Sequence, residues 1–222
     1  MLPGPGLALR AWIEHRALIL DHAWITLAEI LLGLAIGALC GAVSALTLAH
    51  FRSTRPWLLP LLVISQALPV FALGPILVLW LGYGMAPKVV MATLIIYFPV
   101  TAAFYDGLRR TEPGWLDLAQ TLGASKWAML RQIRLPAAMP AFASGLRVAA
   151  AVAPIGAVVG EWVGSSAGLG YMMLHANARM KVDLMFAALA TLAAIAVTLY
   201  FTVDWALRRA IPWPPESTPT ED

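Results

Sequence analysis

Five continuous apolar runs, at 24–49, 57–81, 89–108, 141–163 and 184–207, constrain this chain more than anything else in it. Each is about long enough for a helix to cross a hydrocarbon core, which takes roughly 20 residues. None alternates with period two, so helices are expected rather than a closed barrel. Hydrophobic residues make up 60% of the 222 positions and charged residues 12%, too little charge to coat a soluble globule of this size. The expected fold class is an all-α membrane protein of about five spans. Trp24, Trp57, Trp80, Trp162 and Trp205 fall near the ends of the runs, where an interfacial aromatic belt belongs. The second run holds Pro60, Pro69 and Pro75 with Gln66 among them, which predicts a kinked or broken span.

Lysine and arginine set the orientation. With the loop "HFRSTRP" placed in the cytoplasm, ten basic residues lie inside or at the inner boundary: Arg52, Arg55, Arg109, Arg110, Lys126, Arg131, Arg134, Arg147, Arg208 and Arg209. Five lie outside: Arg10, Arg16, Lys88, Arg179 and Lys181. That bias favours this orientation over its reverse. It puts the N-terminus outside although residues 1–23 contain no signal h-region, so a further span is expected upstream. Residues 1–23 read as an amphipathic segment along the outer membrane surface, with Trp12, Ile13, Leu18 and Ile19 on one side. Residues 24–210 form the transmembrane domain, and the Pro- and acid-rich tail 211–222 is expected to be disordered. The single cysteine, Cys40, and four scattered histidines provide neither a disulfide framework nor a metal cluster. The bases flank membrane segments, so topology explains the basic balance and no nucleic-acid partner is implied.

One polar stretch interrupts the apolar pattern: "DLAQTLGASKWAMLRQIRLP", residues 117–136. Leu118 and Leu122 stand one turn apart, Leu130 and Ile133 three residues apart, Gly123 divides the stretch and Pro136 closes it. Two short amphipathic helices joined at a glycine turn are expected within 113–136, displayed in the cytoplasm as a docking surface for another protein.

The stretch resembles the cytoplasmic signature of permease subunits of ATP-binding-cassette importers: E-A-A, three residues, G, nine residues, then I-x-L-P. Here Asp117-Leu118-Ala119, Gly123 and Ile133-Arg134-Leu135-Pro136 stand in register, with Asp117 in place of the glutamate and Leu118 of the first alanine. "LPVFALGPILVLWLGYG" and "GEWVGSSAGLGYMMLHANARMKVDLMFAAL" are similar to the branch importing nitrate, sulfonates, taurine and thiamine precursors, whose members usually have six spans. The resemblance implies a type I importer fold in the bacterial inner membrane, with a coupling helix pair. It implies docking of a cytoplasmic ATP-binding subunit through Asp117, Leu118, Ala119, Gly123, Ala124, Ile133, Leu135 and Pro136. It also implies an extracytoplasmic substrate-binding protein, a homodimer in membrane lipid, and a thiamine-precursor pyrimidine ahead of nitrate or a sulfonate as substrate. The chain has no G-x-x-x-x-G-K-[ST], so ATP and Mg²⁺ belong to the partner and no cofactor or catalytic residue is expected here.

Individual residues carry paired readings. Glu161 is a pathway or gate residue, or a carboxylate bonded to nearby backbone, with Trp162 marking the boundary beside it. Gln66 lines the pathway or satisfies carbonyls freed by Pro69. Tyr97 stacks on substrate or packs in the core. Gly33, Gly37 and Gly41 serve a dimer contact or packing within the subunit. Lys126, Arg131 and Arg134 meet acids on the ATPase, anionic headgroups or water. Against a transporter stands "GSSAG", which fits the nucleophile-elbow pattern and pairs Ser166 with His175 as a membrane-embedded hydrolase; no strand is expected there to form the elbow. A channel or secondary transporter would need no docking motif, and no row of buried acids for ion coupling is evident.

Overall fold

A computed structural model describes residues 4–213. Among them there is no strand, and the helices are α1 (Pro5–Glu14), α2 (Arg16–His50), α3 (Arg55–Ala67), α4 (Val70–Leu81), α5 (Met85–Arg109), α6 (Pro113–Thr121), α7 (Lys126–Met129), α8 (Leu135–Gly164), α9 (Leu169–Ala178) and α10 (Val182–Ala210). A π-helical turn, Leu130–Arg134, joins α7 to α8, so Lys126–Gly164 is one continuous rod. Among the described residues four rods are long and apolar enough to cross a membrane, and the pair α3–α4, bent by 101°, has the form of a broken fifth span or of a re-entrant loop.

The bend falls where the prolines predict it. Leu68 closes α3, and Pro69, in extended backbone, opens α4. Without an N–H, Pro69 cannot continue the α3 ladder. The Ser65 hydroxyl donates to the Leu62 carbonyl (2.7 Å) just before the break.

Helix α5 lies at the centre, with α2 against one side and α8 against the other. Lipid tails are as apolar as leucine, so close van der Waals approach has to hold these helices together. Small residues permit it. A Cβ on Gly33 would lie 2.5 Å from the Ala92 side chain, on Gly37 2.7 Å from Ile96, and on Gly41 3.0 Å from Val100. From the other side, Gly145 approaches the Pro99 carbonyl and Gly156 the Ala92 backbone, while Ala149, Ala150, Ala153 and Ala157 are fully buried. The glycine stripe therefore serves packing within the subunit.

Three expectations need correction. Helix α2 begins at Arg16, so residues 16–23 extend the first rod; polar side chains such as Asp21 and His22 lower hydropathy without breaking a helix. Trp12, Ile13, Leu18 and Ile19 do not share a face: Ile19 is fully buried, whereas Ile13 and Leu18 are exposed. The interruption at His15 separates their registers, and α1 packs on α10, where Trp12 Nε1 donates to Thr191 Oγ1 (3.1 Å). Finally, Pro136 does not end the knob. It sits in the first turn of α8, where a proline is tolerated, and the rod widens into the π turn immediately before it. Ile211 is buried, while the tail positions 214–222 and positions 1–3 lie outside the described residues.

Candidate docking site

Between α5 and α8 the chain builds a compact projection. Pro113 starts α6; Gly123, at φ +79°, ends it in left-handed backbone, its N–H donating to the Gln120 carbonyl (2.9 Å). That conformation favours glycine, which explains the turn residue of the signature. Ser125 then caps α7 by accepting from the Ala128 N–H (3.2 Å). The base is tied down by Arg134, whose Nε and Nη2 donate to the Leu108 carbonyl at the end of α5 (3.1 and 2.8 Å). Arg134 thus anchors the projection, and Lys126 and Arg131 stand exposed.

The apolar residues of α6 face outward. Leu118 is 62% exposed and Leu122 78%, and Trp115, one turn earlier, is also exposed; only Ala119 is buried. Together with Ile133, Pro136 and Trp213 they line a groove of about 570 Å³. Of the residues expected to dock, Leu118, Ala119, Ile133 and Pro136 meet in this groove. Leu135 lines a separate recess of about 490 Å³ with Trp127 and His50. Asp117 is exposed on α6 and Ala124 half-buried beyond the turn. Trp115 and Trp213 were not expected; the spacing of Trp115 from Leu118 carries its signal, while only the fold brings Trp213 near. An apolar groove exposed on a polar projection is the form of a protein-docking surface.

At the opposite end lies a second cluster, buried and polar. Glu161, near the end of α8, is 1% exposed. Its Oε1 accepts from Thr26 Oγ1 (2.6 Å); Oε2 accepts from the backbone N–H groups of Gly170 and of Tyr171 (3.2 Å). A carboxylate at the start of α9 meets unpaired N–H groups and the positive end of the helix dipole. Thr26 Oγ1 also accepts from the Leu169 N–H (2.8 Å), and His22 Nδ1 from the Gly168 N–H (2.8 Å). A Cβ on Gly168 would lie 2.2 Å from the Glu161 carboxyl carbon, so this turn needs glycine there. Trp162, half exposed, donates from Nε1 to the Gly170 carbonyl (3.1 Å). The geometry of Glu161 is that of a carboxylate holding nearby backbone.

Beneath it, Lys88 Nζ and Glu29 Oε1 form a buried ion pair at 2.5 Å. The orientation count set Lys88 among the outer bases, but it lies inside the helix bundle. Glu29 carries the signal that singled out Glu161, an ionisable group within an apolar run. His22, Thr26 and Glu29 lie on one stripe of α2, at helical spacing.

The remaining candidates are separate. Tyr97 donates to Ser44 Oγ (2.9 Å) and packs half-buried against α2, whereas Gln66 is exposed beside the bend. Ser166 is exposed in the loop between α8 and α9, and His175 Nδ1 lies 3.1 Å from the Tyr171 carbonyl. Helices flank "GSSAG" on both sides, so the strand-to-helix elbow needed by the hydrolase reading does not exist there.

Residues 33–213 match the family of binding-protein-dependent transport system inner membrane components. The chain belongs to this family. It is thus an ABC transporter permease component, a multi-pass protein of the bacterial inner membrane, in a family typically non-catalytic with the ATPase in a partner subunit. A probable ABC transporter permease protein of Haemophilus influenzae is 61% identical, over 95% of this chain and 86% of that relative. The formylaminopyrimidine transport permease protein ThiX of Halalkalibacterium halodurans is 34% identical, over 96% of this chain and 86% of that relative. The riboflavin transport system permease protein RibX of Chloroflexus aurantiacus is 36% identical, over 96% and 80%. In fold, the chain is similar to one from the inward-facing MetNI methionine ABC transporter. The TM-score is 0.77 at 18% identity, with 89% of this chain and 98% of that one covered. The permease therefore has the fold of a type I importer.

Proposed function

We propose that this permease forms the translocation pathway of an ATP-driven importer as a homodimer, and that the groove between α6 and the start of α8 receives a cytoplasmic ATPase. The exposed apolar face of Trp115, Leu118 and Leu122 carries this reading, because a solvated projection gains nothing from displaying it unless a partner covers it. Two copies present two such projections, matching an ATPase pair that closes around ATP and Mg²⁺. Five spans are too few to enclose a polar route alone, so the pathway runs between copies. Closure of the ATPases would move the docked projections as rigid bodies and rock the attached rods, since α7 continues into α8 without a break. A binding protein outside the membrane would deliver substrate near α9.

The double substitution Leu118→Glu/Leu122→Glu tests the docking surface. Both side chains are largely exposed, so membrane insertion and thermal stability should not change. Loss of anchors in an interface core costs about 2 kcal/mol or more each, so co-purification with the ATPase should disappear. Wild-type recovery of the ATPase with this variant would refute the site.

For substrate, we favour a thiamine-precursor pyrimidine. The names of two relatives above 30% identity specify nitrogen heterocycles, a formylaminopyrimidine and riboflavin. Nitrate and sulfonates such as taurine come after these. Uptake of labelled pyrimidine into proteoliposomes holding permease, ATPase and binding protein is the expected result; taurine uptake without pyrimidine uptake would reverse the order.

A further inference from the structure

Arg134 is spent on the Leu108 carbonyl, but Arg131, one turn earlier, is not. The exposed Arg131 guanidinium has no ion-pair or hydrogen-bond partner among the described residues. It borders the recess of about 490 Å³ between the end of α2 and the rod formed by α7 and the start of α8. Thr47 and His50 form the α2 wall, Trp127 and Leu135 the opposite one, and no carboxylate lines it. The Thr47 hydroxyl is already turned onto the Val43 carbonyl (2.8 Å). What remains are N–H donors on Arg131, Trp127 and His50. A lining rich in donors, with one unpaired cation and no acid, selects a ligand that brings negatively charged acceptor oxygens.

Depth narrows the choice. His50 is the last residue of α2, and the exposed rings of Phe51 and Trp127 stand beside it at centroid distances of 4.6 and 6.3 Å. Aromatic rings gathered at the end of a span mark the headgroup level. From the recess, Val43, Leu39 and Ile36 continue along α2 at helical spacing, all exposed. Leu46 lies in the recess wall, and Ile36 is ten residues from it. That is about 15 Å along the helix, half of a roughly 30 Å hydrocarbon core. A cationic recess at headgroup level, continued by an apolar stripe one leaflet long, fits a molecule with an anionic head and a hydrocarbon tail. A loop of a cytoplasmic protein would fill the recess and leave the stripe bare. The anionic lipids of the cytoplasmic leaflet meet both features.

We propose that this recess binds an anionic phospholipid of the inner leaflet, its phosphate accepting from Arg131 and one acyl chain lying along Val43, Leu39 and Ile36. Trp127 and His50 flank the head. The recess has no lining residue in common with the docking groove. Lipid binding is measured on the permease alone, so its failure and that of the ATPase pull-down are separate results.

The test is lipid retention. The full-length permease is extracted from vesicles of equal parts phosphatidylglycerol and phosphatidylcholine, and bound lipids are counted by native mass spectrometry. The wild type should retain phosphatidylglycerol in excess. Arg131→Gln, at an exposed position, should lower that preference about five-fold without moving the thermal midpoint. Thr47→Trp fills the recess without changing charge and should lower it as well. Arg110→Gln removes the same charge from an exposed position outside the recess and should leave the preference as it is. Millimolar glycerol phosphate, a head without tails, should not displace the retained lipid. Wild-type preference in Arg131→Gln or Thr47→Trp overturns the proposal, as does an equal fall in Arg110→Gln or displacement by glycerol phosphate. In the assembled transporter, a photo-crosslinking side chain in place of Thr47 should capture lipid; capture of the ATPase or of a second copy instead overturns it too.

Discussion

Thr26→Val is the sharpest perturbation available, because it changes chemistry at almost constant shape. The Thr26 hydroxyl donates to Glu161 (2.6 Å) and accepts from the Leu169 N–H (2.8 Å), fully buried. Valine leaves no cavity but removes both bonds. An ordinary hydrogen bond between helices in a membrane contributes only about 0.6 kcal/mol. This one is different on two counts: the acceptor is a buried carboxylate, for which loss of a donor costs about 1.5–3 kcal/mol, and the Leu169 N–H is orphaned at about 1–3 kcal/mol. A destabilisation of about 3–5 kcal/mol is therefore expected. It should be local, because the severed bonds fasten the start of α9. Hydrogen exchange of the peptide spanning 165–178, measured by mass spectrometry in nanodiscs, should lose protection, while peptides in α5 keep theirs. Thr26→Ser keeps the hydroxyl and should retain most protection. If valine and serine behave alike, or if valine leaves 165–178 protected, Thr26 does not hold the Glu161 cluster together.

Lys88→Met alone strands Glu29 and should destabilise by about 3–5 kcal/mol, while Lys88→Met/Glu29→Gln should recover most of that; thermal midpoints in detergent give both numbers. Gly37→Leu forces a side chain into Ile96, where even a Cβ would lie 2.7 Å away, and should cost at least about 1–3 kcal/mol with reduced expression; Gly114→Ala, with open space around it, should be tolerated. An unaltered midpoint for Gly37→Leu would mean that α2 and α5 are not packed at that contact.

The large features of the fold could be read from the chain because each has a strong one-dimensional cause. Hydrocarbon thickness fixes run length, so the rods fall where the apolar runs lie. Pro69 removes an N–H, so α3 and α4 part there. The projection could be read from Gly123 and its neighbours, because a positive φ restricts the residue type. Faces were harder. The spacing of Leu118 and Leu122 gives a stripe without saying what covers it, and only the fold shows both exposed and sharing a groove with Trp115. Lys88 defeated the charge count because its partner Glu29 is 59 positions away, and sequence distance conceals a contact that only α2 meeting α5 creates. The same blindness hid Trp213, placed beside the groove by the return of α10.

Helix α5 meets α2 and α8 at glycines whose added Cβ would collide with the facing helix, and the contacts are locked further by the Lys88–Glu29 and Tyr97–Ser44 pairs. Three rods fitted so closely cannot slide by small steps without collision, so they behave as one plate. Any rocking that opens a route through the membrane then falls to the plate's margins: the right-angled α3–α4 elbow on one flank and α10 on the other. The sharp bend at Pro69 is therefore the natural joint of this permease, and stiffening it should hinder turnover more than any change within the plate that preserves packing.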